Sequence, residues 1–186
     1  MPAMTWLWVV LGLVVLLLLY VVLTYNRLVR LRVRVDNAWS GIDVQLRRRY
    51  DLIPNLLETV KGYAAHEREL FEAVTEARAR AMAAGTVPDQ AQAETEITRG
   101  LRQLLAVAEA YPQLRANENF LALQEELTAT ESKIAFARQF YNDQVMGYNT
   151  LIQQFPSLFV ARVGDFRARD FFEIEEESRG PVDVRP

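Results

Sequence analysis

TWLWVVLGLVVLLLLYVVL, residues 5–23, decides the architecture, because nothing charged occurs between Met1 and Asn26. At about 1.5 Å per residue this run makes roughly 28 Å of helix, close to the hydrocarbon thickness of a bilayer. It predicts a single membrane span. Trp6 and Trp8 mark one end and Tyr20 and Tyr25 the other, where amphipathic rings prefer the two water interfaces. A cleavable leader would carry basic residues before the run and a small-residue cleavage site after it. Here Thr24, Tyr25, Asn26 and Arg27 follow, so the expectation is an uncleaved anchor over residues 1–26 with a short external N-terminus.

The flanks set the direction. No Lys or Arg precedes the run, whereas Arg27, Arg30, Arg32 and Arg34 follow it closely, then Arg47, Arg48 and Arg49. Positive charge stays on the cytoplasmic side. The expected location is therefore a bacterial inner membrane, with the N-terminus outside and everything after residue 26 in the cytoplasm. The lipid bilayer is the first expected partner: the arginines either contact anionic headgroups or only fix topology.

Charge divides along the chain. Residues 27–49 carry a net +5, and the remainder −8, within a total of −3. A pI near 5.3 gives no general attraction to nucleic acid. The absence of cysteine excludes disulfides, thiolate metal sites and cysteine nucleophiles.

After the span the apolar period becomes helical. Val35, Trp39, Ile42, Leu46, Tyr50, Ile53, Leu57, Val60, Ala64, Phe71, Val74, Ala77 and Ala81 recur at three- and four-residue steps, with Glu67 the weak rung. That predicts one helix stripe. Pro54 lies inside it, and proline removes a helix hydrogen bond. The stripe keeps its phase across Pro54, which favours a kinked continuous helix; the alternative is a fold-back at Tyr50–Pro54 with Asp51 as N-cap.

The first clear break is 82–90, MAAGTVPDQ, where Thr86 and Asp89 stand in capping-box spacing. A second helix carries Ala93, Ile97, Leu101, Leu104, Ala108 and Tyr111, stopping at Pro112. Asn117 then caps a third, which carries Phe120, Leu123, Leu127, Thr130, Ile134, Ala137, Tyr141, Val145, Tyr148, Ile152 and Phe155 and ends at Pro156. The expected fold is all-α: a single N-terminal transmembrane helix, then an antiparallel bundle of three long helices over residues 27–156, or four if the first folds back at Pro54. Residues 157–186 are expected to hold a short helix and an acidic tail, mobile from Glu175.

Phe166, Phe171 and Phe172 form an aromatic knot in that last segment. It either folds back on the bundle or stays exposed for docking. Asn142 and Asn149, seven apart on one helix face, are candidates for polar layers that fix register.

Chemistry is hard to find. His66 is followed by Glu67, but Leu70 stands where a zinc helix needs its second histidine. A di-iron bundle needs two Glu-x-x-His motifs, and there is one histidine. No phosphate loop or nucleophile elbow occurs. Glu125, Glu126 and Glu131 are expected to be solvated or paired with Arg138 or with Arg47, Arg48 and Arg49. The expectation is a non-enzymatic protein with no cofactor, metal, nucleic acid or small-molecule substrate.

The stretches AWSGIDVQLRRRYDLIPNLLETVKGYAAHE (38–67), AVAEAYPQLRANENFLALQEELTATESKIAFARQFYNDQVMGYNTLIQQFPS (106–157) and FFE (171–173) closely resemble the LemA family of bacterial membrane-anchored proteins. The resemblance implies a single anchor, a cytoplasmic helical bundle and no known enzymatic activity. Some relatives are associated with shaping magnetosome membranes, a family-level hint of membrane organisation. Two roles are compatible with all of this: a tethered scaffold that self-associates as a homo-oligomer, or an adaptor that binds a different membrane or cytosolic protein. Candidate interaction residues are Arg47, Arg48, Arg49, Phe171 and Phe172. The anchor has no small-xxx-small pair around Gly12, so any oligomer is expected to be built by the bundle.

Overall fold

A proline inside a helix frees the carbonyl four residues back, and the first helix survives only if that carbonyl finds another donor. Pro54 frees the carbonyl of Tyr50, and the Arg78 Nε donates to it at 2.7 Å. Helix α1, Pro2–Lys61, accordingly runs through Pro54 without interruption, and the fold-back at Tyr50–Pro54 does not occur. The computed structural model describes residues 2–174, with side chains from Trp6 onward. The mobile tail expected from Glu175 lies outside the described residues.

The chain continues as α2 (Arg68–Ala83), α3 (Val87–Glu109), the single turn α4 (Pro112–Arg115), α5 (Glu118–Gln153) and α6 (Ser157–Val163). Among the described residues there is no strand. The reading of one helix from Val35 to Ala81 is corrected here: the chain breaks at residues 62–67. Tyr63 and Ala64 both turn their N–H groups onto the Val60 carbonyl, and Gly62 is a weak helix former. Periodicity missed the break because Ala64 is buried at the tip and α2 returns Phe71, Val74, Ala77 and Ala81 to the core. The weak rung, Glu67, marked the place. Leu56, rather than the expected Leu57, takes the buried rung on α1.

The later boundaries follow local chemistry. Thr86 caps α3 by accepting from the Asp89 N–H at 3.2 Å, and Pro88 sits in the first turn, where its missing donor costs nothing. Asn117 caps α5 through the Phe120 N–H at 3.0 Å.

The chain divides into two compact units, residues 2–40 with 140–169, and residues 41–139 with 170–174; α1 and α5 contribute to both. In the second unit, partners far apart in sequence fix the helix directions. Arg78 reaches Tyr50 and Arg80 reaches Glu96 at 2.5 Å, so α2 runs antiparallel to α1, and α3 to α2. Tyr63 receives a hydrogen bond from Asn117 at 3.1 Å while Arg48 meets Glu126, so α5 descends along α1. The core here is Ile42, Leu46, Ile53, Leu56, Val60, Val74, Ile97, Leu104, Leu114, Ile134 and Phe172. Gly100 permits close packing of α3 on α2: a Cβ there would lie 2.8 Å from Val74 Cγ2.

In the first unit Leu28, Val35, Ala38, Tyr141, Val145, Tyr148, Ile152, Val160 and Phe166 form the core. Trp39 and Tyr141 meet edge to face at 5.3 Å. The Asn149 amide grips the returning chain at two points, donating to the Arg169 carbonyl at 2.8 Å and accepting from the Arg169 N–H at 2.9 Å. It serves as a clamp on this segment, not as the interhelical layer expected.

Replacing Arg78 by Met is expected to cost about 1.5–3 kcal/mol, the usual worth of a hydrogen bond to a charged group. In a Pro54→Ala background, where the helix N–H returns to Tyr50, the same change should cost clearly less. Equal losses in a denaturant double-mutant cycle would contradict the compensation.

Candidate functional site

Two features stand out from ordinary helical packing, and each belongs to one unit. In the first unit the side chains of α1 from Trp6 to Leu23 are all exposed. This run carries no charged residue. Trp6, Trp8 and Tyr20 are exposed along with the Leu and Val side chains between them. This is a helix long and apolar enough to cross a membrane. Burial begins at Thr24 and Leu28.

The arginine collar follows at once. Arg27 and Arg30 face solvent. The Arg32 guanidinium lies 5.3 Å from the centre of the Phe166 ring, in cation–π range, and Tyr25 meets the same ring edge to face at 5.4 Å. Arg34 lines a shallow surface groove with Asn37, Ala38, Phe140 and Gln144. Asp36 draws in Arg169 at 2.8 Å.

In the second unit the Arg47–Arg49 run splits three ways, as successive helix positions about 100° apart require. Arg47 is exposed and pairs with Asp43 at 3.0 Å, one turn earlier. Arg48 reaches Glu126 on α5 at 2.7 Å. Arg49 turns inward and is only 1% exposed, against Glu94, which is wholly buried.

Each nitrogen of the Arg49 guanidinium faces an oxygen. Nη1 donates to Glu94 Oε2 at 2.8 Å, and Nη2 to Thr98 Oγ1 at 2.9 Å. Nε lies 2.8 Å from Glu131 Oε1, an ion pair without hydrogen-bond alignment. The other Glu94 oxygen accepts from the Tyr50 hydroxyl and from Gln90 Nε2 at 3.0 Å. Gln90 also donates to the Tyr50 oxygen at 2.7 Å.

Two carboxylates and one guanidinium leave an excess of negative charge, and the protonation states respond. Burial, then the charge of Glu94 and its hydrogen bond, push the Tyr50 phenol far above its ordinary range. It therefore remains a donor at physiological pH. Burial raises the Glu131 carboxyl, Arg49 opposes this, and Glu94 adds to it.

Glu94 and Gln90 were missing from the sequence reading. Their signal was present: stepping back from Ile97 by three and then four residues along the α3 stripe lands on Glu94 and Gln90, polar residues at buried positions. Of the tail aromatics, Phe172 is fully buried and Phe171 half-exposed. Phe172 is therefore a core residue, which corrects its candidacy as a docking contact. Phe171 lines a surface groove of about 650 Å³ with residues of α3 including Gln92, Thr95 and Arg99. His66 is exposed in the α1–α2 connection.

Residues 38–185 match the model of the LemA family. The chain is similar to magnetosome protein MamQ 2 of Paramagnetospirillum magneticum, at 22% identity covering 85% of this chain and 68% of the relative. Magnetosome protein MamQ of Magnetospirillum gryphiswaldense is 21% identical at the same coverage. The protein LemA of Metamycoplasma hominis is 26% identical, covering 86% of this chain and 73% of the relative.

Truncating Arg49 to Ala strands Glu94 in the core and is expected to destabilise the folded chain by about 3–5 kcal/mol. The double variant Arg49→Met, Glu94→Leu should recover most of that loss in chemical denaturation, since both charges are gone.

A carboxyl raised in the folded state binds its proton more readily folded than unfolded. For Glu131 that contribution is present once pH falls into the ordinary carboxylate range and is lost as pH rises through the raised value. The melting-temperature difference, native chain minus Glu131→Gln, should therefore become more positive from neutrality down into that range. A flat difference would contradict it.

Proposed function

Because the chain belongs to the LemA family, we propose that it is a single-pass membrane-anchored scaffold, without enzymatic activity, whose helical domain self-associates to organise proteins or membrane shape. The carrying observation is that the apolar side chains of α1 from Trp6 to Leu23 stay exposed at the head of a helix that continues without a break to Lys61. Exposed apolar surface on this scale is stable only in lipid or against another protein. The arginine collar supports an orientation with the N-terminus outside and the helical domain in the cytoplasm of a bacterial cell.

The charge cluster supports a structural role. Both oxygens of Glu94 are occupied and its side chain has no exposure, so a substrate has no route to its carboxylate. Relatives named as magnetosome proteins support work at a membrane. For self-association, the outer face of α5 leaves Leu121 and Phe136 exposed, Phe136 by 74%. Chains confined to one surface meet at high effective concentration, so weak contacts are sufficient. The groove beside Phe171 favours the second reading, an adaptor that holds a different protein.

In-cell photo-crosslinking from position 136, with a photoreactive phenylalanine analogue, separates the two. The expected product is a ladder of multiples containing this chain alone. One recurrent different protein would establish the adaptor, and a cross-link-free monomer would overturn both.

A further inference from the structure

Helix α6 is apolar on both faces. Val160 and Ala161 are buried, and Ser157 anchors the start of the helix by donating to the Leu151 carbonyl at 2.6 Å and the Gln154 carbonyl at 2.8 Å. The opposite side carries Phe159 and Val163, one turn apart, with Phe155 against Phe159 edge to face at 5.9 Å. These three are exposed by 77% (Phe155), 59% (Phe159) and 91% (Val163). A helix on the surface of a water-soluble unit presents polar residues outward. This one does not.

Its height along α1 is fixed within the same unit. Trp39 faces Tyr141, and Arg34 shares a groove with Gln144, so α5 advances as α1 recedes. Continued at about 1.5 Å per residue, that register brings the reversal at residues 154–157 level with roughly residue 24. Burial agrees: Thr24, immediately beyond the apolar run, is covered. Past α6, Asp165 takes φ 50 and the Phe166 N–H bonds the Ala161 carbonyl at 2.9 Å, a Schellman-type ending. Gly164 leaves room for the ring, since a Cβ there would lie 2.5 Å from Phe166 Cε2. The ring is thereby delivered to Tyr25. So α6 lies where the span ends.

We propose that the strip of Phe155, Phe159 and Val163 is seated in the headgroup–acyl boundary of the leaflet from which α1 emerges. Arg27, Arg30 and Arg162, all exposed, face anionic headgroups around it. Aromatic and aliphatic side chains backed by basic ones are what this boundary accepts. The inference rests on α1 being a membrane span, and it adds a second, peripheral contact between this unit and the bilayer.

The chain has no cysteine, so single labels report cleanly. Phe159→Cys carries an environment-sensitive nitrobenzoxadiazole in the full chain, reconstituted in vesicles of phosphatidylethanolamine and phosphatidylglycerol with a lipid spin-labelled near the headgroup or, in parallel for the span, deep in the acyl chain. Leu16→Cys, inside the span, and Glu69→Cys, exposed on α2, are the references. Val163→Cys repeats the reading without removing the Phe155–Phe159 contact.

The expected result is blue-shifted emission, lost to the spin-labelled lipid, at positions 159, 163 and 16 but not 69. Loss at 16 alone overturns the interfacial contact and leaves the span intact. No loss at 16 overturns the span and this inference with it. Blue-shifted emission at 159 that ignores the lipid quencher and reverts when protein is diluted in lipid means a second copy covers the strip, and also overturns the proposal.

Discussion

A guanidinium removed from water must be surrounded by acceptors, and Arg49 finds them on helices far away in sequence. Glu94 and Thr98 come from α3 and Glu131 from α5. Sliding either helix by one turn, about 5.4 Å, would leave a buried charge facing hydrocarbon. The cost of such an error is several kcal/mol, comparable to the whole stability of many domains. Aliphatic packing by Ile97, Leu104 and Ile134 tolerates exchange of one rung for the next; the charge cluster does not. Register in the second unit therefore rests on a polar contact set within an apolar interior.

Proline and arginine cooperate in the same region. Pro54 withholds the donor that a helix would normally supply to Tyr50, and Arg78 uses the vacancy to tie α2 to α1. A residue that breaks helices elsewhere thus provides a tertiary attachment point. Tyr50 takes part twice: its carbonyl holds Arg78, and its hydroxyl, kept protonated by burial beside Glu94, helps hold the charge cluster.

The all-helical class was legible because three- and four-residue spacing is a direct record of which side faces the core. The exposed apolar run of α1 was equally plain, since nineteen consecutive residues carry no charge. Caps at Thr86 and Asn117 were readable because the capping chemistry is local. The turn after Lys61 was not: periodicity records burial but not direction, and the stripe resumes in phase on α2. Adjacent arginines look alike in sequence, yet a rotation of about 100° per residue sends only Arg49 inward. Phe171 and Phe172 diverge for a comparable reason, since neighbours in an extended segment point to opposite sides.

The amide of Asn149 holds Arg169 much as a neighbouring strand would, with one donor and one acceptor aimed at the C=O and N–H of a single residue. Residues 165–169 have no regular secondary structure of their own; Asp165 and Phe166 bond back to α6, whereas the Arg169 backbone is held by α5. Hydrogen exchange at Arg169 therefore reports on the integrity of a side chain twenty residues away. In that sense Arg169 behaves as part of the helix's own cooperative unit, although no helical hydrogen bond joins it to α5.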